Sequence, residues 1–303
     1  MWVAAGWQRY NDIDLQVLHL GNGDAYQQLD CGFYDSVSVA GESDGAGCYI
    51  ERTNRQLARQ GRYPSHIVLA LVLLTSSDHA ILNGSLFSGD DVILVGPGSE
   101  YESFTPAGHK PAVFYMRLES ETNVPLLRLA NQQAGRIRKV ADPELAGRFR
   151  VLAANFLHSW DKRTTSISIP QSALQGLMFE LLTSPSAANG SSHPSIQIYR
   201  AARDVMLDAL AETLTIPELA SRVGTSRRTL EKTFDDCVSV SPARFHKLLR
   251  LNNARRLLLS GQHSVSRAAT SSGLYHLGRF SGDYHSLFGE LPSQTAQRAR
   301  TFI

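Results

Sequence analysis

The chain has 303 residues, 43% of them hydrophobic, enough apolar material for two cored domains. Its net charge is +2, but from Pro194 onward 15 Lys/Arg stand against 9 Asp/Glu, so this part is at +6 and the rest at −4; a polyanionic partner belongs to the basic part alone. Three cysteines (Cys31, Cys48, Cys237) with no CxxC pair and no Cys/His cluster exclude a disulfide framework and a structural zinc site, and suit a reducing, cytoplasmic setting.

The N-terminal MWVAAGWQRYNDIDL has no basic segment ahead of an apolar core, so it is not a signal peptide. From Leu29 to Leu118 the chain reads as β-rich. Apolar runs recur at Ile67–Leu74, Ala80–Phe87, Val92–Val95 and Ala112–Leu118. Turn residues separate them at Ser88-Gly89-Asp90-Asp91, Gly96-Pro97-Gly98 and Pro106-Ala107-Gly108. This spacing predicts a sandwich or barrel, with an intervening helix over Arg52–Arg62. The longest run, Ile67–Leu74, is far below the roughly 20 residues of a membrane span, so no membrane partner is expected. His66, His79 and His109 are scattered, and neither metal nor cofactor is expected.

Two amphipathic helices follow. One runs from Asp142 to about Trp160 with Leu145, Phe149, Leu152, Phe156 and Leu157 on one stripe; the other runs from about Ile169 to Leu182 with Leu174, Leu177, Met178 and Leu181. They serve either to cover an open face of the β domain or to pair with a second copy of the chain. Residues 184–194, rich in Ser, Ala, Gly and Pro, read as a linker. The chain thus divides into an N-terminal domain over 1–183, this linker, and a helical domain over 195–303. The fold class is α+β.

Seven helices are predicted after the linker, at about 195–212, 216–223, 227–235, 242–259, 265–271, 275–287 and 293–299. Thr215-Ile216-Pro217-Glu218 forms a capping box, Ser226 caps the third helix, and Ser241-Pro242 opens the fourth. One pattern occurs twice. Ala220, Gly224, Leu230 and Phe234 return as Ala269, Gly273, Phe280 and Tyr284, with the two glycines 49 residues apart and one extra residue between glycine and apolar anchor in the second copy. Each copy is a short helix, a glycine turn and a second helix, which is the helix-turn-helix whose second helix enters the major groove.

The segments LTIPELASRVGTSRRTLEKTF (214–234), SPARFHKLLRLNNARRLLLSG (241–261) and SVSRAATSSGLYHLGRFSGDYHSLFGELPS (264–293) resemble the DNA-binding domain of the AraC/XylS family of bacterial transcription regulators. The resemblance implies two helix-turn-helix subdomains joined by a long helix, double-stranded DNA as partner, and no enzymatic activity. By the same resemblance the first recognition helix presents Arg227, Arg228, Thr229, Glu231 and Lys232, with Leu230 and Phe234 inward. The second presents Tyr275, His276, Leu277, Arg279 and Ser281, with Phe280 and Tyr284 inward. Arginine binds guanine bidentately, and Arg or Lys binds phosphate. Gly282 stands where many members carry a base-contacting Arg, which leaves the second site to Arg279 and His276 or lowers its specificity. Leu274 and Ser239 are milder departures. Arg250, Arg255 and Arg256 on the connecting helix are expected to serve structure, with phosphate contact as the alternative.

The family also implies an N-terminal domain that senses a small-molecule effector, forms a homodimer, or both, and contact with RNA polymerase, usually as an activator. The run Leu86–Gly98 resembles the strand and turn pattern of cupin-like sensor domains. Control by a partner protein instead of a metabolite is the alternative. A fused enzyme is disfavoured: three cysteines cannot supply four zinc ligands, and Gly-x-Ser-x-Gly is absent.

Overall fold

The computed structural model describes residues 6–20, 25–75, 78–118, 124–161, 170–185 and 194–301. In chain order run β1 (Gly6–Tyr10), α1 (Ile13–Leu20), β2 (Ala25–Gln28), β3 (Ser36–Ser43), β4 (Ala46–Thr53), β5 (Leu57–Arg62), β6 (Ile67–Leu73), β7 (His79–Leu82), β8 (Ser85–Ser88), β9 (Asp91–Val95), β10 (Glu100–Thr105), β11 (Pro111–Arg117), α2 (Val124–Gln132), β12 (Ile137–Ala141), α3 (Pro143–Asp161) and α4 (Gln171–Thr183). Then come α5 (Pro194–Asp208), α6 (Ile216–Arg222), α7 (Arg227–Val238), α8 (Pro242–Leu259), α9 (Val265–Ser271), α10 (Leu277–Phe288) and α11 (Pro292–Thr301). The molecule is α+β, with a β-rich N-terminal part and an all-helical C-terminal part. Two compact units form, one from residues 1–25, 35–54 and 59–191, the other from 26–34, 55–58 and 192–303. The predicted linker falls largely on 186–193, outside the described residues. The sequence assigned 26–34 and 55–58 to the N-terminal domain; the structure places them in the helical unit.

The first unit is built on a seven-stranded antiparallel sheet, order β1-β3-β4-β11-β6-β9-β12. One face is apolar. Val39, Cys48, Ile50, Val68, Ala70, Leu94 and Phe114 join Leu126 of α2, Phe149 and Phe156 of α3, and Leu174 and Met178 of α4 in one core. Phe114 and Phe149 lie 5.3 Å apart between ring centres. The stripes of the two predicted amphipathic helices are therefore spent on this sheet. Because side chains alternate along a strand, the other face carries Ser36, Ser38 and Ala40 of β3 opposite Thr53, Glu51 and Tyr49 of β4. It holds a buried chain of bonds in which Gln16 Nε2 donates to Tyr49 Oη (3.2 Å) and Tyr49 Oη donates to Glu51 Oε2 (3.0 Å). Arg59 Nη2 closes it on Glu51 Oε1 at 2.6 Å. In a second sheet β10, β7 and β8 of this unit lie side by side in that order.

Two predicted elements are corrected. Arg52–Arg62 is not a helix: β4 ends at Thr53 and β5 begins at Leu57. Arg59 is held as a strand residue by its ion pair with buried Glu51, so tertiary context overrides local propensity. Ala80–Phe87 is not one strand but the hairpin β7–β8, whose turn residues Asn83 and Gly84 have φ of 48° and 76°. Asn-Gly between apolar runs is the strongest short-range hairpin signal, and Leu82 and Ser85 close the two-residue loop.

In the helical unit, serine and threonine caps set the helix starts. Thr215 and Glu218 form the reciprocal capping box of α6; Ser226, Ser241 and Ser264 accept from Thr229, Arg244 and Arg267 N–H at the starts of α7, α8 and α9. Two aromatic clusters core the subdomains. Tyr199, Phe234 and Phe245 meet edge-on at 5.2–5.7 Å in the first, and Tyr284 contacts Phe280 and Phe288 at 5.5 and 4.6 Å in the second.

His246 of α8 sits in the first subdomain at 5% exposure. Burial, and then the charge of Arg250, push its pKa down to about 4. An unfolded histidine titrates near pH 6.5. Above that pH both states are neutral and the residue contributes no pH dependence. As pH falls from about 6.5 to about 4 the unfolded chain takes up the proton first, so stability is lost, by up to about 3 kcal/mol at the lower end. The helical transition followed by circular dichroism should therefore weaken from pH 7 to pH 5 less in His246→Gln than in wild type. Parallel pH profiles for the two proteins would show that His246 is not the group responsible.

Candidate nucleic-acid interface

The two helix-turn-helix units share one turn, bond for bond. After α6, Gly224 N–H donates to Ser221 C=O (3.1 Å) and Thr225 N–H to Ala220 C=O (2.9 Å). After α9, Gly273 N–H donates to Thr270 C=O (3.0 Å) and Leu274 N–H to Ala269 C=O (2.9 Å). This pair of bonds, with glycine in the left-handed region, is the Schellman cap. Gly224 and Gly273 have φ of 68° and 70°. Their surroundings differ: a Cβ on Gly224 meets nothing within 4 Å, whereas one on Gly273 lies 2.2 Å from the Leu210 carbonyl oxygen.

The first turn leads into α7, which closes at Val238, three residues beyond the predicted end at Asp235. Leu230 and Phe234 are fully buried. Arg227, Arg228, Thr229, Glu231 and Lys232 all lie on the exposed side, near the positive end of the helix dipole. Three of the five have partners in this structure. Arg227 Nε donates to Glu231 Oε1 at 2.8 Å, an exposed i,i+4 pair of small energetic weight, and Thr229 Oγ1 lies 2.8 Å from Ser226 Oγ. Arg228 and Lys232 have no intramolecular partner among the described residues, and nothing in the fold accounts for two bare cations there.

The helix expected to serve as the second recognition helix, 275–287, starts later than predicted. α10 begins at Leu277, with His276 as its N-cap and no side-chain cap bond. Tyr275 and His276 thus lie in the turn, not on the helix. Leu274 N–H is taken by the Schellman bond and the Tyr275 hydroxyl donates to the Ala211 carbonyl, which holds the chain out of helical geometry here. Tyr275 remains 59% exposed. Leu277 and Arg279 are exposed and Ser281 is half-buried. Gly278 and Gly282 are exposed, and a Cβ on either meets nothing within 4 Å, so packing does not require them. The face is smooth, with Arg279 its one cation among the described residues.

The connecting helix α8 carries two buried polar side chains; Arg255 has the structural role expected of it, while Asn252 was not singled out from sequence. Asn252 and Arg255 are 3% and 4% exposed. Asn252 binds the backbone of Gln28; Arg255 pairs with Glu290 at 2.5 Å. The available signal was polarity inside an apolar stripe, since buried polar groups demand partners. Among the described residues no group of three or more His, Cys, Asp and Glu is placed to hold a metal, and no helix is long and apolar enough to cross a membrane.

A family model described as a helix-turn-helix domain matches residues 219–298. The HTH-type transcriptional regulator ArgR of Pseudomonas aeruginosa is 33% identical over 111 residues, 37% of this chain and 33% of ArgR. The probable thc operon regulatory protein of Rhodococcus erythropolis is 34% identical over 100 residues, 32% of this chain and 30% of that protein. The match spans about a third of the length of these curated relatives. Among solved structures, a probable AraC family transcriptional regulator from Rhodopseudomonas palustris is 36% identical over 34% of this chain and 97% of that one, with a TM-score of 0.32.

Proposed function

We propose that this chain, which carries an AraC-type helix-turn-helix domain at its C-terminus, is a sequence-specific, DNA-binding transcription regulator that acts as an activator. The observation that carries this is the pair Arg228 and Lys232, exposed on the outer face of α7 and without a partner among the described residues, while Leu230 and Phe234 fix that helix from within. α7 and α10 enter successive major grooves on one face of the duplex, about 34 Å apart. Arg228 reads a base edge, Lys232 and Arg227 neutralise phosphate, and Thr229 and Glu231 complete the first site. Leu277, Arg279 and Ser281, with Tyr275 and His276 from the turn, form the second, which discriminates less because Gly278 and Gly282 offer no side chain. The β-rich unit takes a small-molecule effector and forms the homodimer, and the DNA-bound protein contacts RNA polymerase in the cytoplasm. The net charge of +6 after Pro194 supports the assignment of DNA to this part.

The test is selection of a binding sequence from random duplexes by the full chain, followed by titration at several salt concentrations. Binding should weaken steeply with salt. Arg228→Ala should lose about 1–3 kcal/mol and relax discrimination at one base pair. Lys232→Ala should weaken all sequences alike and lower the salt slope by about one. Unchanged binding in Arg228→Ala removes that residue from the site.

A further inference from the structure

The helical unit contains two pieces of chain from far upstream, residues 26–34 and 55–58. Their attachment is specific. The Asn252 side chain, midway along α8, treats Gln28 as a neighbouring strand would: its Oδ1 accepts from Gln28 N–H (3.1 Å) and its Nδ2 donates to Gln28 C=O (3.1 Å). Nδ2 also donates to Leu248 C=O at 2.8 Å. The next contacts fall on the last turn of α10. A helix leaves its final carbonyls without partners. Here Gly32 N–H donates to the carbonyls of Ser286 (3.1 Å) and Leu287 (3.0 Å), and Gln28 Nε2 donates to the Leu287 carbonyl at 2.6 Å. Gly289, which ends α10 at φ 74°, leaves room for the backbone of Phe33, whose N would lie 3.0 Å from a Cβ there.

The loop that makes these contacts is itself held in shape. Gln28 Nε2 also donates to the carbonyls of Asp30 (2.9 Å) and Gly32 (2.7 Å). Arg55 Nε donates to Phe33 C=O (3.0 Å) and Nη1 to Cys31 C=O (2.6 Å). Asp30 Oδ1 accepts from Gln56 N–H at 2.9 Å. At Gly32, φ is 122° and a Cβ would lie 2.6 Å from Arg55 Nη2, so a larger residue would be strained there and would push the guanidinium aside. Gln28 and Asn252 are 1% and 3% exposed.

From this geometry we propose that residues 28–33, locked by Arg55, are positioning residues for the second DNA contact. They clamp the C-terminal end of α10 to α8, and so fix the angle at which the N-terminal end of α10, with Leu277 and Arg279, meets the groove. The inference rests on the DNA-binding function proposed above. Loss of the clamp frees the last turn of α10 and the backbone of Gln28, which lose their partners together. α7 shares none of these contacts and keeps its own site.

The experiment uses the full chain on its selected duplex with hydroxyl-radical footprinting. Wild type should protect two patches one helical turn apart, and Arg279→Ala identifies the patch that belongs to α10. Asn252→Ala and Arg55→Gln should weaken that patch at least tenfold and leave the α7 patch within about twofold. Arg55→Gln is the milder variant and keeps the proposal testable if Asn252→Ala unfolds; circular dichroism of both establishes whether the helical unit is intact. Equal protection of both patches in folded Arg55→Gln, or equal loss of both, overturns the clamp while leaving the DNA-binding function standing. A wild-type chain that selects no duplex overturns that function, and the clamp's role with it.

Discussion

Arg255→Ala should cost the helical unit about 3–5 kcal/mol, the range for breaking a buried ion pair by removing one partner. Arg255 is 4% exposed, donates from Nη1 to Glu290 Oε1 at 2.5 Å, and its guanidinium carbon lies 4.9 Å from the Phe288 ring centre. Glu290 also accepts from Thr295 Oγ1 (2.9 Å) and from Arg298 (3.2 Å), and Thr295 Oγ1 lies 2.8 Å from the fully buried Tyr284 hydroxyl. One guanidinium thus ties α8 to the end of α10 and to α11. Its removal leaves Glu290 with the more exposed Arg298 alone as its cation, takes the cation from the Phe288 face, and opens a void in the core. Two optical probes separate the units. All three tryptophans (Trp2, Trp7, Trp160) precede Pro194, so tryptophan fluorescence follows the N-terminal part. Far-UV dichroism is dominated by the helices. In urea, the dichroism midpoint of Arg255→Ala should drop sharply and the fluorescence midpoint should hold. The paired replacement Arg255→Met with Glu290→Gln should cost much less than the sum of the two singles, because neither charge is then left buried alone. A loss under 1 kcal/mol in Arg255→Ala would mean that the network is not what joins these helices.

The helical part was legible because its signals are local. A serine or threonine cap, a glycine at the turn and an apolar stripe all lie within one helix length, and they place α6, α7, α8 and α9 within a few residues. Where a start depended on a distant partner, the sequence misled. Tyr275 reads as helical by pattern, but its hydroxyl is held by the Ala211 carbonyl, 64 residues earlier in the chain. The β-rich part was legible as strands and not as topology. β11 lies between β4 and β6 in the sheet, and no local pattern announces a strand inserted between two earlier ones. Arg59 looked like part of a charged helix because its partner Glu51 is buried on β4, and burial cannot be read from a charged residue in isolation. Of the candidate DNA-facing residues, the sequence separated outward from inward positions on α7 through Leu230 and Phe234 alone. It could not show which outward cations are already paired. The partner of Asn252 was hidden for the same reason as that of Tyr275: its bond with Gln28 spans 224 residues, and polarity inside an apolar stripe marks only that a partner is needed.

The two turn glycines look interchangeable in sequence, and substituting them should show that they are not. Gly224→Ala forces a Cβ into the left-handed region with open space around it, so it should cost about 1–2 kcal/mol. Gly273→Ala adds a contact of 2.2 Å with the Leu210 carbonyl oxygen, far inside any tolerated distance. That oxygen is backbone, and its segment is anchored twice: the Tyr275 hydroxyl donates to Ala211 C=O and Arg250 Nη2 to Glu212 C=O. No side chain can swing away to relieve the clash. Adding an overpacking cost of about 1–3 kcal/mol to the backbone cost gives about 2–5 kcal/mol for Gly273→Ala. Asparagine separates the two causes, since it accepts the left-handed region more readily than other side chains. Gly224→Asn should recover most of the loss seen in Gly224→Ala, whereas Gly273→Asn should recover none, because its Cβ meets the same oxygen. The readout is the dichroism midpoint of each variant in urea. Equal losses at the two positions would mean that the 210–212 segment does not press on the second turn, and that the Tyr275 and Arg250 bonds hold nothing in place.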